Sequence, residues 1–320
     1  MPHNEPIELA AIEAARSRIR SAALRTPLIQ LNVDDAPAEI YLKLENLQPI
    51  GSFKLRGASN AMLLASPEQL AGGVWTASAG NMAQGVAWQA RRMSLPCIVV
   101  GPDHAPETKI AAITRLGATF IPVPFADWFA ILSSHAYPGM DGFFVHPVSD
   151  PKVMAGNGTI GLEILEDLPD VDTILIPYGG GGLSTGIASA VRALKPDTRL
   201  YACEVETAAP LAPSLAASAP REVPYTATFV DGIGGPSVLP EMWPLVSKLL
   251  DGSLVMPIEA VADAVRLLVE RNRVVAEGAG ATPVAAALSG QAGGGKVVCV
   301  VSGGNIDGAK LAKILLGQLP

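Results

Sequence analysis

The chain has 320 residues, of which 49% are hydrophobic but only 5% aromatic, and a formal net charge of -7. That acidic balance, without any Lys/Arg block, argues against nucleic acid or an anionic membrane as the main partner. No apolar run approaches the roughly 20 residues of a bilayer-spanning helix, and the polar start MPHNEPIEL lacks the regions of a secretory signal, so a cytoplasmic protein is expected. Cys97, Cys203 and Cys299 are odd in number and far apart, which points to buried thiols rather than a disulfide framework or zinc site.

Along the chain, residues 7–24 place Ile12, Ala15, Ile19 and Ala22 at helical spacing before the proline of RTPL. EIYLKLEN at 39–46 alternates Ile40, Leu42 and Leu44 as a strand does. Residues 46–62, NLQPIGSFKLRGASNAM, carry the isolated Lys54. One theme then repeats, an apolar run followed by a longer amphipathic stretch: GVWTASAG into NMAQGVAWQARRM, PCIVVGP into ETKIAAITRLG, then TFIPVPF. DTILIPYGGGG leads into LSTGIASAVRAL, RLYACEVE is a further strand, and KVVCVVSGGN leads into IDGAKLAKILLG. Strands separated by helices of this length predict an α/β fold with mainly parallel sheets flanked by helices. Residues 207–220 suggest a loop with a short helix, and 231–240 an irregular turn. Ligands in such folds lie beyond the carboxyl ends of the strands, so the Gly/Ser clusters there should converge on one site.

Three clusters qualify. In PYGGGGLSTG, residues 177–186, four glycines precede a helix and can turn their N–H groups toward a phosphate, or serve as a tight turn alone. Lysine is missing for a P-loop, and Gly-x-Gly-x-x-Gly fails because Ser184 or Thr185 falls at the third glycine. Glu204 and Glu206 nevertheless stand where a ribose-binding acid could. TASAGNMAQG, 76–85, can offer donors to a carboxylate or simply cap a helix. VVCVVSGGNIDG, 297–308, is an apolar strand ending at Ser302, whose hydroxyl could meet a heteroaromatic nitrogen.

The ordered set GSFKLRG, SAGN, GGGGL and SGGN, with RTPL, GTIGLEIL and VVAEGAGA between, resembles the serine/threonine dehydratase family, fold type II enzymes of pyridoxal 5'-phosphate related to the tryptophan synthase β fold. That resemblance implies two open twisted sheets, a large domain of residues 1–72 and 149–320, and a small mobile domain of 73–148. It implies a homodimer and a small amino acid substrate. Lys54 would anchor the cofactor covalently, with Phe53 beside it, and Asn81 would hydrogen-bond its phenolic oxygen. Backbone amides of Gly179, Gly180, Gly181, Gly182 and Leu183 would hold its phosphate, and Ser302 would meet the pyridine nitrogen. Ser78, Ala79, Gly80 and Asn81 would receive the substrate carboxylate.

The implied reaction is dehydration and deamination of a β-hydroxy amino acid, L-threonine or L-serine, to a 2-oxo acid and ammonia. Desolvation should lower the pKa of Lys54 and favour a neutral amine. Ala79 stands where related racemases carry a second serine, so racemization lacks its second base. Met82 replaces a usual histidine, which raises bulkier substrates of the 3-hydroxyaspartate or phenylserine type. A nicotinamide-dependent dehydrogenase is the reading from another class. Glu204 matches one ligand of the family's divalent cation, but Pro210 falls where its aspartate partner is expected. The chain stops soon after SGGNID, so no C-terminal regulatory domain is expected. His3, His104, His135 and His146 lack metal spacing and read as loop or surface residues. Arg56 reads as a structural ion pair, Glu277 and Asp231 as either site or capping residues, and Trp128 and Phe129 as core or a substrate lid.

Overall fold

The computed structural model describes residues 5–320; His3 lies outside them. Among the described residues ten strands form two sheets: β1 Leu28–Gln30, β2 Glu39–Leu44, β3 Val74–Ala77, β4 Cys97–Pro102, β5 Thr119–Val123, β6 Phe143–Phe144, β7 Thr173–Pro177, β8 Arg199–Val205, β9 Gly252–Met256 and β10 Lys296–Val301. The six-stranded sheet runs β1-β2-β10-β7-β8-β9, and the four-stranded sheet runs β5-β4-β3-β6. Among the strand pairs of the described residues, only β1–β2 is antiparallel. The second sheet comes wholly from within residues 74–144. Among the described residues no helix is long and apolar enough to cross a membrane.

Helices cover both faces of the larger sheet, so β7 is buried at every residue and β10 at all but the first. That sandwiching changes the alternation expected of β2. Ile40, Leu42 and Leu44 are buried as the pattern predicts, but so is Lys43, under the helix Pro151–Asp167. A buried ammonium needs a partner. Lys43 Nζ donates to Glu163 and to the Thr26 carbonyl, each at 2.6 Å. Arg56 joins the same group, donating to Glu163 at 2.6 Å and to Glu45 at 2.8 Å. Two cations and two carboxylates thus neutralise one another beneath the helix Lys54–Leu64.

Candidate active site

The carboxyl ends of β3, β4, β7 and β10 open on one cavity of about 500 Å³. Phe53, Lys54, Ser78, Ala79, Gly80, Asn81, Gly179, Gly180, Gly181, Gly182, Leu183 and Ser302 all line it. Glu204 does not.

Two contacts between distant segments set the position of Lys54. Ser52 bridges to Gly303, and the Phe53 N–H donates to the Ser302 carbonyl at 2.9 Å, so the turn before Lys54 is stitched to the end of β10. The helix then begins at Lys54 itself. Lys54 Nζ donates to the Pro147 carbonyl at 2.8 Å and lies 5.2 Å from the centre of the Phe53 ring. Burial pulls its pKa down to about 8, partly opposed by Glu277. That shift raises the neutral fraction at pH 7 roughly 300-fold over an exposed lysine.

The glycine run joins β7 to the helix Gly182–Leu194, whose N-terminus receives no side-chain cap. Gly181 has φ +99°, a conformation L side chains rarely adopt. A Cβ on Gly180 would lie 2.6 Å from Val148 Cγ2. The loop is therefore a cradle of bare N–H groups at the positive end of a helix, suited to an anion. The helix Asn81–Met93 also starts without a side-chain cap, at Gly80. No side chain caps that helix start: the Ser78 N–H donates to the Val100 carbonyl at 3.0 Å and the Gly80 N–H to the Ser78 hydroxyl at 3.2 Å, and residues 78–81 line the same cavity.

Asn81 is held from both sides. Its Nδ2 donates to Glu277 Oε1 at 2.8 Å, and its Oδ1 accepts from Asn305 at 2.7 Å. Burial, with Asp231 nearby, pushes Glu277 up to about 7. Glu277 lines the cavity and its side chain caps no helix. Asp231 also lines it and pairs with Lys109 at 2.9 Å. Asn305 was legible only as part of SGGN, whereas Pro147 and Val148 carry no local signal.

Several expectations need correction. Glu204 accepts from the N–H groups of Leu211 and Ala212 at 2.8 and 2.9 Å and from the Ser253 hydroxyl at 2.6 Å. It caps the helix Leu211–Ala217, a task the side chain of Pro210 cannot perform, so both oxygens are committed inside the protein. Glu206 is exposed and accepts from the Ile258 N–H at 3.0 Å through one oxygen, and neither acid lines the cavity. His104 and His135 are exposed, but His146 is buried. Its Nδ1 accepts from the N–H groups of Val148 and Ser149, its Nε2 meets the Leu132 carbonyl, and burial takes its pKa down to about 4. Ligand atoms of His135, His146 and Glu241 lie within 4.8 Å of one another. With both nitrogens of His146 occupied, that group offers a metal only two free side chains.

A parallel α/β fold, with a desolvated lysine and a glycine-lined helix start in one cavity, defines a class of enzyme that binds a phosphate-bearing carbonyl cofactor through an amine. Comparison with known proteins narrows the class. The model of the family described as pyridoxal-phosphate dependent enzyme matches residues 19–303, and the chain belongs to that family. It is 42% identical to the L-threonine ammonia-lyase of Geobacter sulfurreducens, over 92% of this chain and 75% of that one. Maize serine racemase superposes with a TM-score of 0.89 at 32% identity, covering 98% of each chain. The processed threonine deaminase isoform 2 of Solanum lycopersicum gives 0.87 at 32%, covering 97% of this chain and 87% of that one. The two mainly parallel sheets flanked by helices are accordingly the type II fold of pyridoxal-phosphate enzymes.

Proposed function

We propose that the protein deaminates β-hydroxy amino acids, with L-threonine and L-serine as substrates, releasing a 2-oxo acid and ammonia. The observation that carries this reading is Lys54, buried and with its pKa lowered, in one cavity with the uncapped glycine loop. The residues fit pyridoxal phosphate: Lys54 would be the covalent anchor, 179–183 would hold the phosphate, Phe53 would lie beside the ring, and Asn81 and Ser302 would serve its phenolic oxygen and its nitrogen. When bound, the cofactor supplies the electron sink for charge developing at the substrate α-carbon.

The chain's own residues supply position and proton transfer. The N–H groups of Ala79 and Asn81, with the Ser78 hydroxyl and Gly80 beside them, orient the substrate carboxylate. Lys54 Nζ takes the α-proton, a role worth about 10²–10⁴ in rate. The C–O bond at the β-carbon then breaks, water departs, and a second water releases ammonia and leaves the 2-oxo acid. Because Ala79 carries no proton donor opposite Lys54, elimination is favoured over racemization. Residues 73–148 form the small mobile domain, 1–72 and 149–320 the large one, and the working form is a cytoplasmic homodimer.

The test is the absorbance spectrum of the wild-type protein and of Lys54→Ala, with 2-oxo acid release followed after adding L-threonine or L-serine. A cofactor band displaced by substrate, with oxo acid formed at least about 10³-fold faster than in the variant, is expected. A protein that takes up no pyridoxal phosphate, or a variant as active as wild type, overturns the reading.

A further inference from the structure

The cavity has two unlike walls. The wall from the larger sheet carries the glycines, Lys54 and Ser302, already assigned to the cofactor, together with Phe53, Val148 and Ile233. The opposite wall comes from residues 79–82, the β4 end with its following loop, and the helix Phe125–Ser134. Its apolar lining is Pro102, Ala105, Pro106, Phe125 and Trp128, with Asn81, His104 and Lys109 among them. In a chain with only 5% aromatic residues, this helix of 10 carries three. The Phe125 ring lies 5.4 Å from Trp128, 6.1 Å from Phe129 and 5.9 Å from His104. Phe125 is 51% exposed, so an apolar group brought against it removes its surface from water as well as its own.

The charges on this wall decide between the bulkier substrates. Lys109 lines the cavity, but Asp231 already pairs with it at 2.9 Å, and Lys310 lies 3.7 Å from the same carboxylate. His104 stands beside Asp103. Glu277 adds a further carboxyl group. A side-chain carboxylate would find every cation shared with an acid, whereas an aryl ring would find an aromatic and aliphatic face.

Resting on the deaminase reading, we propose that Phe125 and Trp128 form a side-chain subsite for an aryl or comparably large apolar group. The preferred substrate is a β-aryl-β-hydroxy-α-amino acid, ahead of threonine, serine and acidic analogues. The atom balance is unchanged: the β-hydroxyl leaves as water, one water is taken up, and an aryl-substituted 2-oxo acid and ammonia are released. Discrimination between side chains by a hydrophobic pocket is on the order of 10–200-fold per methylene, so a tenfold preference is a modest demand on a whole ring.

The experiment uses the holoenzyme and two readouts. The first is kcat/KM for L-threo-phenylserine, L-threonine and L-threo-3-hydroxyaspartate in wild type, Trp128→Ala, Trp128→Phe and Phe125→Ala. The second is the affinity for L-phenylalanine and L-2-aminobutyrate, which lack the leaving hydroxyl, read from the cofactor absorbance. Phenylserine should exceed threonine at least tenfold, with 3-hydroxyaspartate the poorest. The ratio should fall at least fivefold in Trp128→Ala and Phe125→Ala and recover in Trp128→Phe, and phenylalanine should bind at least tenfold tighter than aminobutyrate. Threonine turnover that exceeds phenylserine turnover, or a ratio unmoved in both alanine variants, overturns the subsite and leaves the deaminase reading standing. No oxo acid from any of the three overturns the deaminase reading, and the phenylalanine affinity then decides the subsite alone.

Discussion

The two walls of the cavity differ in what builds them. On the larger sheet, the helix Gly182–Leu194 buries ten of its 13 residues, and the site is presented mainly by backbone. On the smaller sheet, the helices Glu107–Arg115 and Phe125–Ser134 each bury a single residue, Ile113 and Ile131, and side chains form the surface. A cradle for a fixed phosphate needs N–H groups that cannot drift, so it sits where packing is densest. A wall that meets varied substrates needs only surface, and local stability is lower there. Under the proposed function, the phosphate cradle lies on one side and the surface for the substrate side chain on the other, with Asn81 reaching the cofactor from the second.

The largest effect expected from breaking this arrangement lies under the cofactor wall. Arg56→Met leaves Glu45 and Glu163 to share Lys43 alone, and removing one partner of a buried pair costs about 3–5 kcal/mol. Thermal unfolding with cofactor bound should show a large fall in Tm. A variant within a degree or two of wild type would mean that the network contributes little.

Gly181→Ala comes next. At φ +99° an added Cβ costs about 1–2 kcal/mol, so cofactor affinity measured by equilibrium dialysis should fall about tenfold. An unchanged affinity would show that the loop can re-form without its left-handed residue.

Glu277→Gln tests the seam between the walls. Folding raises this carboxyl from 4.5 to about 7, so the ionised form is penalised only in the folded chain. Wild-type stability is therefore lost as pH rises from about 4.5 to about 7, and the amide removes that loss while still accepting from Asn81. The Tm advantage of the variant should be near zero at pH 4 and on the order of 5 °C at pH 8. A difference that does not widen with pH contradicts the assigned shift.

What the sequence disclosed follows the same division. Lys54, the glycine run and Ser302 were legible because turn chemistry and strand-to-helix boundaries are local, and all of them line the cavity. The parallel sheets were legible from repeated apolar runs, while the short β1 and β6, with three and two residues, carry too little pattern to stand out. Pairings across long stretches of chain were hidden. Asn81 meets Glu277 from 196 residues away, and Lys43 meets Glu163 from 120. Glu204 was misread because its acceptors' partners, Leu211 and Ala212, are backbone donors that no side-chain motif marks.

The most direct test of the central claim is to reduce the cofactor-loaded protein with borohydride, digest it and locate the pyridoxyl group by mass spectrometry. The account predicts the adduct on Lys54, within the segment GSFKLRG, and its loss in Lys54→Ala. An adduct on any other lysine, or none on a protein that retains its absorbance band, contradicts it.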